Sequence, residues 1–500
     1  DFDGSKENFY ALRNVYDYLN HNFNSFLKSK ANPDYSKWAS IRIALERVEG
    51  EFDYVQHSPL QHIVKTIGLL NIFSSSGARL DESFLVKYIE ATSQLQAVQA
   101  GVKELGRKKI IRYNKYSHRY ILFDSTEIDI DTAIDEAAKH LNRSNDVVSY
   151  LSKYFSFPTI TAKKAYFEKG TPRIFQFKLS ETPYRSSTPS GEVDGYINLI
   201  FSGSLTEEVL EKASTETSEA ILYGWVKNTE EVRSLIEEIQ KAEIVKERHV
   251  DDRVVQRELT QIIDIQKHLL NHYVLGSFYS SSSVVWFFSG KKLRFRNSRE
   301  FNTELSRICD QVYSATPIFK SELANKTKLS AAISTARKAL IKALIAKNDI
   351  EAFEIPGYPP EKSIYMSFLK ETGIHSFVNG TWRLGEPMND PCGFTPLFEK
   401  CDEFVESSKG ARRNLAELYD ILSKRPFKLK KGFLDFWIPV YLFVKSSDFA
   451  LYGKNGFIPE IDEEVLELLV KHPKDYNLKG FDVGGVKVQL FNQYRSLLNL

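Results

Sequence analysis

The chain has 500 residues, of which 42% are hydrophobic and 26% charged, and its formal net charge is +2. This composition excludes a disordered chain, and nucleic-acid binding would have to come from local basic patches. Cys309, Cys392 and Cys401 are too few and too scattered for a disulfide framework or a zinc site. The N-terminus lacks a signal-peptide pattern and no run approaches the length of a membrane span. We therefore expect a cytoplasmic protein with no membrane partner.

Apolar residues at helical spacing predict two amphipathic helices within residues 1–58. The second of these helices carries Arg42 and Arg47. A small helical subdomain at this place resembles the lid of an AAA+-type NTPase, in which an arginine reaches the γ-phosphate. Arg42 and Arg47 are therefore candidates for a nucleotide-sensing lid. The alternative is an ordinary helical bundle with arginines on its surface.

Residues 59–135 predict a winged helix. Helical patterns at 61–73, 82–91 and 94–106 precede two short β-rich runs, 110–114 and 119–123, at hairpin spacing. The third helix and the hairpin carry a cluster of basic residues, and winged helices often contact phosphates through a basic surface of this kind. Internal packing or protein contact is the alternative interpretation. The candidate nucleic-acid-binding residues here are Lys103, Arg107, Lys108, Lys109 and Arg112.

Three segments of this region carry a family resemblance: HIVKTIGLLNIF, LDESFLVKYIE and KKIIRYNKYSHRYILFDSTEIDIDTAIDEA. They resemble the region that follows the ATPase core in large bacterial AAA+/STAND-type P-loop NTPases of phage-defence islands, such as BREX-like ATPases. The likeness is good over about residues 40–140 and looser beyond. It implies that the parent protein binds ATP and Mg²⁺, and that its partners are other defence-system subunits, a second copy of itself or DNA.

The chain itself contains no Walker A sequence, G-x-x-x-x-G-K-[ST]. The pair Gly290-Lys291 is followed by lysine, and Gly453-Lys454 is followed by asparagine. We therefore expect no cofactor and no ATP hydrolysis in this chain, and no catalytic residue can be assigned, so its standing as an enzyme stays open. Because the chain begins at Asp1, we expect it to be part of a larger NTPase.

Residues 136–227 predict a small α/β domain in which strand-like segments such as 160–180 alternate with helices. Glu192 and Asp194 precede an apolar run, which raises the alternative of a metal-dependent nuclease. A turn acid before a strand is the simpler interpretation, since no complete nuclease motif surrounds these residues. No metal site is assigned.

Residues 228–299 predict a long helical hairpin that turns near 246–253, followed by a basic β-hairpin. His268 and His272 are four residues apart but lack a third metal ligand. The β-hairpin interleaves cations with aromatic residues, a pattern typical of single-stranded nucleic-acid binding, and a solvated polar face is the alternative. Its candidate nucleic-acid-binding residues are Lys291, Lys292, Arg294 and Arg296.

Residues 300–396 predict a helical, winged-helix-like domain, and residues 397–500 predict an α+β domain with a buried helix at 436–444. The segment KRPFKLKKG (424–432) supplies a third basic patch, with Lys428, Lys430 and Lys431 as candidate nucleic-acid contacts. The predicted fold class is thus mixed α/β and predominantly helical, with several domains. The predicted function is the regulatory and interaction portion of an anti-phage NTPase, which couples nucleotide state to DNA or subunit binding. A non-enzymatic protein-binding scaffold is the alternative.

Overall fold

The computed structural model describes residues 10–29, 31–74, 78–92, 98–115, 117–123, 130–141, 146–185, 188–279, 283–481 and 493–494. The start of the predicted lid-like subdomain, residues 1–9, lies outside these ranges. The chain divides into two compact units, residues 1–155 with 230–274 and residues 156–229 with 275–500. Within the described ranges, the length and apolar character of the helices fall short of a membrane span. The fold is mixed α/β and predominantly helical, which confirms the predicted class.

Helices dominate the first 155 residues because apolar side chains recur there at helical spacing. In chain order the elements are α1 (Leu12–Leu27), α2 (Tyr35–Glu51), α3 (Tyr54–Phe73), α4 (Glu82–Thr92), α5 (Val98–Arg107), β1 (Ile111–Asn114), β2 (Arg119–Leu122), α6 (Ile130–Ala137) and α7 (Val147–Tyr154). The predicted order of three helices and a hairpin is present as α3, α4, α5 and the antiparallel pair β1–β2.

One core joins the predicted lid-like segment to the segment after it. Ala44 and Val48 of α2 are buried in the same cluster as Ile63 of α3 and Leu105 of α5. Helix α3 begins at Tyr54, so it crosses the boundary that the sequence placed at 58/59. The sequence did not predict this start, because Pro59 lacks an N–H and a proline usually marks the boundary of a helix.

The middle of the chain contains the strands of one sheet, and a helical hairpin separates two of these strands in the sequence. In chain order its elements are β3 (Ile160–Thr161), α8 (Lys163–Lys169), β4 (Ile174–Ser180), β5 (Val193–Ile200), α9 (Glu207–Glu216), β6 (Ile221–Val226), α10 (Thr229–Arg248), α11 (Arg253–Ser277), β7 (Val284–Phe288) and β8 (Lys291–Leu293). Helices α10 and α11 lie where the sequence predicted a helical hairpin, and residues 249–252 separate them.

The six strands form one sheet in the order β3-β4-β5-β6-β7-β8. Strands β4, β5 and β6 are parallel, and β7 and β8 continue the sheet in antiparallel fashion. The sequence assigned β7 and β8 to a different domain from β6, but Tyr223 of β6 lies opposite Phe287 of β7. The hairpin α10–α11 is thus an insertion between two neighbouring strands.

Residues 163–169 form a helix where the sequence predicted a strand-like segment. Gly170 ends this helix with a φ of 73°, a left-handed conformation that glycine adopts without strain. A Cβ at Gly170 would lie 2.2 Å from the carbonyl oxygen of Phe319, so only glycine fits there. The short helix depends on this close approach of Phe319, a residue that is far away in the sequence.

The remaining elements are α12 (Ser298–Val312), α13 (Ala331–Lys347), α14 (Pro360–Tyr365), β9 (His375–Val378), β10 (Thr381–Leu384), α15 (Thr395–Ser407), β11 (Arg413–Asn414), α16 (Leu415–Leu422), α17 (Lys431–Val444), β12 (Phe449–Gly453), β13 (Gly456–Ile458), α18 (Glu463–Lys471) and β14 (Asn477–Gly480). The last four strands form a sheet in the order β11-β14-β12-β13. Helix α17 is buried from Gly432 to Leu442, which confirms the predicted buried helix. Its Trp437 shares a core with Leu340 and Phe368, so residues 331–480 pack together.

Candidate nucleic-acid interface

The basic β-hairpin of the second unit lies at the edge of its sheet. Five apolar residues, 284–288, form the buried strand β7, and Ser289 and Gly290 make the turn with φ values of 48° and 74°. The N–H of Gly290 donates to Ser214 Oγ at 3.0 Å, which fixes the turn against α9. Strand β8 is the last in the strand order, and among the described residues no further strand pairs with its other edge.

The cations of this hairpin point to solvent. Lys291, Lys292, Arg294 and Arg296 are all exposed, as is Arg299 in the first turn of α12. Within the described part of the chain, Lys291, Arg294 and Arg296 have no ion-pair partner. The segment therefore presents a basic surface whose charges are mostly unneutralised.

The aromatic residues of the same segment do not share that surface. Trp286, Phe287, Phe288 and Phe295 are buried, and Phe295 packs edge-on against Phe301 with ring centroids 5.0 Å apart. A stacking platform for bases requires exposed rings. The predicted combination of cations with stacking aromatics is therefore wrong: the rings anchor the hairpin, and only the cations can face a ligand.

Glu207 and Glu300 lie beside this surface, and Glu300 Oε2 accepts from the N–H of Arg296 at 2.9 Å. Glu207, the first residue of α9, pairs with Lys292 at 2.5 Å and with Lys227 at 3.6 Å. The hydrogen bond from Lys292 lowers the pKa of Glu207 below its usual value, so its carboxylate is charged at neutral pH. A cavity of about 200 Å³ adjoins these residues and is lined by Lys227, Lys292 and Arg294.

The basic residues of the first unit are partly neutralised. Arg107 pairs with Glu104 at 2.8 Å and Lys108 pairs with Glu51 at 2.9 Å. Arg112 is largely buried in an ion pair with Glu258 of α11. This arginine therefore links the β1–β2 hairpin to the helical hairpin and is not available to phosphates, contrary to the prediction.

Three of the predicted contacts in that unit remain accessible, since the side chain of Arg107 is 71% exposed despite its ion pair with Glu104. Lys103 on α5 and Lys109 in the turn before β1 are exposed and have no ion-pair partner in the described ranges. Lys109 adopts a φ of 52°, which directs the chain from the helix into the strand. These three cations, one of which is paired with an acid, make a less positive surface than the four at the edge of the sheet.

The two candidate lid arginines have different environments. Arg47 donates to the carbonyl oxygens of Lys109 and Lys108 at 2.9 and 3.0 Å, so it holds the turn after α5. Arg42 is 3.8 Å from Glu46 and has a side chain 44% exposed. Of the two, only Arg42 keeps a guanidinium that a nucleotide could reach.

The third predicted basic patch is divided between the interior and the surface. Lys428 and Lys430 are 6% and 4% exposed, whereas Lys424, Arg425 and Lys431 are exposed and Lys431 pairs with Asp435 at 2.9 Å. Lys430 Nζ lies 2.7 Å from Asp194 Oδ2, and Lys428 Nζ contacts the carbonyl oxygen of Pro189. The prediction that Lys428 and Lys430 contact nucleic acid is therefore wrong.

Asp194 is the centre of this buried charge network. Its Oδ1 accepts from Arg173 at 3.0 Å, and its Oδ2 accepts from Lys430 and from the N–H of Ile174. Arg173 also donates to the carbonyl oxygens of Phe427 and Lys428 and stacks on the ring of Tyr313. The network joins the six-stranded sheet to residues 427–430 of the same unit.

Sequence reasoning missed this network because it placed Asp194 in a turn before a strand. Asp194 lies inside β5 and is fully buried, with both carboxylate oxygens already bonded to cations. A nuclease metal would have to displace Arg173 and Lys430. Across the described ranges, no three His, Cys, Asp or Glu side chains are grouped as metal ligands.

Comparisons with models of protein families, with curated proteins and with solved structures find no significant match for this chain.

Proposed function

We propose that this chain is the interaction portion of a bacterial anti-phage P-loop NTPase, and that it binds DNA through the edge of its six-stranded sheet. The observation that carries the DNA-binding part is the exposed cluster of Lys291, Lys292, Arg294 and Arg296, on and just after β8, the edge strand of the sheet in the described residues. The resemblance of residues 40–140 to the region beyond the ATPase core supports the NTPase context. ATP and Mg²⁺ would then be bound by another part of the parent protein.

A local patch is the form that DNA binding must take here. With a net charge of +2, the whole protein exerts little attraction on a polyanion. Each phosphate neutralised by a lysine or arginine releases condensed counterions, which favours binding at low salt. Contacts of this kind are independent of base sequence, since they reach only the backbone.

We also propose that α3, α4, α5 and the β1–β2 hairpin act as a winged helix. Lys103, Arg107 and Lys109 are its accessible cations. Because Arg112 is committed to Glu258, this module would contribute fewer phosphate contacts than a DNA-reading winged helix. Its main role in this proposal is to transmit the state of the ATPase core through protein contacts.

The test is binding of duplex DNA by the full chain at several salt concentrations. The variant replaces Lys291, Lys292 and Arg294 with Glu, and the control replaces Lys342, Lys471 and Lys474, which are exposed lysines elsewhere in the same unit. We expect the variant to lose affinity and the slope of log K against log salt to fall by about 0.9 per lost phosphate contact. Equal binding by variant and control, or no binding by the unmodified chain at low salt, would overturn the proposal.

A protein-binding scaffold is the second candidate, and exposed apolar residues favour it. Tyr54 and Val55 at the start of α3 are 88% and 86% exposed. Adjacent apolar side chains of this size usually mark an interaction site when they belong to a larger patch. Under this alternative, sedimentation should detect self-association that is lost when Tyr54 and Val55 become Ser. The Tyr358→Ser control, at an equally exposed tyrosine, should leave it unchanged.

A further inference from the structure

The cavity beside the basic strand edge has a lining suited to an anion. Its volume is about 200 Å³, and its polar walls are Lys227, Lys292 and Arg294. Its floor is apolar and fixed, since Trp286 and Phe295 are buried and contact each other. A water molecule occupies about 30 Å³ in the liquid, so the cavity has room for a phosphate group with part of a sugar.

Glu207 engages two of the three cations that line the cavity. Its Oε1 lies 3.6 Å from Lys227 Nζ and its Oε2 lies 2.5 Å from Lys292 Nζ. Its side chain is 36% exposed, so it can turn into solvent without opening the core. The carboxylate therefore bridges two ammonium groups in the way that two oxygens of a phosphate would.

We propose that this cavity is a phosphate-binding site and that Glu207 is its intramolecular competitor. The identity of the phosphate as part of a DNA backbone rests on the function proposed above. When a phosphate enters, its oxygens take the positions of the Glu207 oxygens on Lys227 and Lys292, and Arg294 adds a third cation. Glu207 then moves into solvent, and the site gains attraction because the carboxylate no longer neutralises the two lysines.

This arrangement predicts that removing the Glu207 carboxylate strengthens phosphate binding. The Glu207→Gln substitution keeps the shape of the side chain and removes the charge that holds the two lysines. Exposed ion pairs of this kind are individually weak, so we expect affinity for duplex DNA to rise by a factor of about three to ten. The matched control is Glu208→Gln, which makes the same change of charge at the next residue of α9, where no lysine pairs with the carboxylate in the described residues.

The experiment measures duplex DNA binding and, by calorimetry, inorganic pyrophosphate binding for the unmodified chain, Glu207→Gln and Glu208→Gln. Tighter binding of both ligands by Glu207→Gln alone supports the proposal, and the added substitution Lys292→Gln should reverse that gain. If DNA binds but Glu207→Gln and Glu208→Gln behave alike, the cavity proposal is wrong and DNA binding stands. If only pyrophosphate binds, more tightly to Glu207→Gln, the phosphate site stands and the DNA proposal fails. Binding of neither ligand by Glu207→Gln overturns both.

Discussion

Residues 291–299 and 424–432 look alike in sequence, but only the second segment sends lysines into the interior. Each segment contains five lysines or arginines in nine residues, with apolar side chains between them. In the first segment all five cations are exposed, and two of them, Lys291 and Lys292, lie on the edge strand β8. In the second, Lys424, Arg425 and Lys431 are exposed, but Lys428 and Lys430 are buried beside Asp194. The density of basic residues therefore does not indicate a binding surface until the position of the nearest acid is known.

The physical difference lies in what each segment packs against. Lys291 and Lys292 lie on β8, which no further strand covers among the described residues, and Arg294 and Arg296 follow directly after it. Residues 427–430 are held by backbone hydrogen bonds and by Arg173, and their ammonium groups enter the interior because a carboxylate is there to receive one of them. A buried charge is tolerated only with such a partner.

The largest effect that tests this comparison is the loss of the buried acid. The Asp194→Ala substitution leaves Arg173 and Lys430 buried without their carboxylate, and we expect a decrease of about 3–5 kcal/mol in the free energy of unfolding. This decrease is measured by urea denaturation, from the unfolding transition of the second unit. Glu192→Gln, at an exposed acid two residues away, is the control and should change stability little. A loss below about 1 kcal/mol for Asp194→Ala would show that the network is solvated, and the contrast between the segments would fail.

Several elements of this molecule follow from local sequence. The helical hairpin, with its turn at 249–252, the buried strand β7 and the buried helix α17 all appear where apolar periodicity predicted them. Each is determined by side chains within a few turns of the chain. The exposed cations of residues 291–296 were also predictable, since lysine and arginine at a turn and a short strand seldom enter a core.

What could not be predicted depends on partners far away in sequence. The contact between Lys430 and Asp194 spans 236 residues, and a sequence pattern does not reveal which acid meets which base. Helix α8 likewise depends on the approach of Phe319 to Gly170. The ion pair of Glu207 with Lys292 was not predicted either, because the two residues are far apart in the sequence. In addition, an acid at the start of a helix usually has a local explanation in the helix dipole.

The second prediction separates the two interior lysines. Lys430 has Asp194 as its partner, whereas the contact described for the Lys428 ammonium is a single backbone carbonyl, that of Pro189. We expect Lys430→Met to decrease the free energy of unfolding by about 2 kcal/mol, since it removes a charged hydrogen bond. Lys428→Met should change it by less than about 1 kcal/mol. This substitution leaves the ion pair between Lys430 and Asp194 in place, and it removes the desolvation cost of a buried charge.

The pH dependence of stability gives an independent check on Lys428. Burial lowers the pKa of Lys428 below the usual value of 10.5. Between those two pKa values the unfolded chain binds the proton and the folded chain does not, so the free energy of unfolding rises with pH in that window. Thermal unfolding followed as the pH approaches 10.5 should show a smaller rise for Lys428→Met than for the unmodified chain. Identical profiles would mean that the Lys428 ammonium is hydrated.

The smallest expected effect on stability belongs to the surface segment. Replacing Lys291, Lys292 and Arg294 with Glu changes side chains that are exposed and largely unpaired. Only the ion pair between Lys292 and Glu207 is lost, and an exposed pair contributes at most about 1 kcal/mol. We therefore expect the midpoint of urea unfolding to stay close to that of the unmodified chain, although DNA affinity falls.

This combination of unchanged stability and reduced binding is what distinguishes a binding surface from a structural one. If the triple variant unfolds as easily as Asp194→Ala, its cations contribute to the fold, and the edge of the sheet resembles the interior segment after all. The open edge gives a further reason to expect the first result. Charged side chains on an edge strand also prevent pairing with other chains, and glutamate serves that purpose as well as lysine. The variant should therefore remain soluble and monodisperse in light scattering, so that a loss of DNA affinity can be assigned to the lost positive charge.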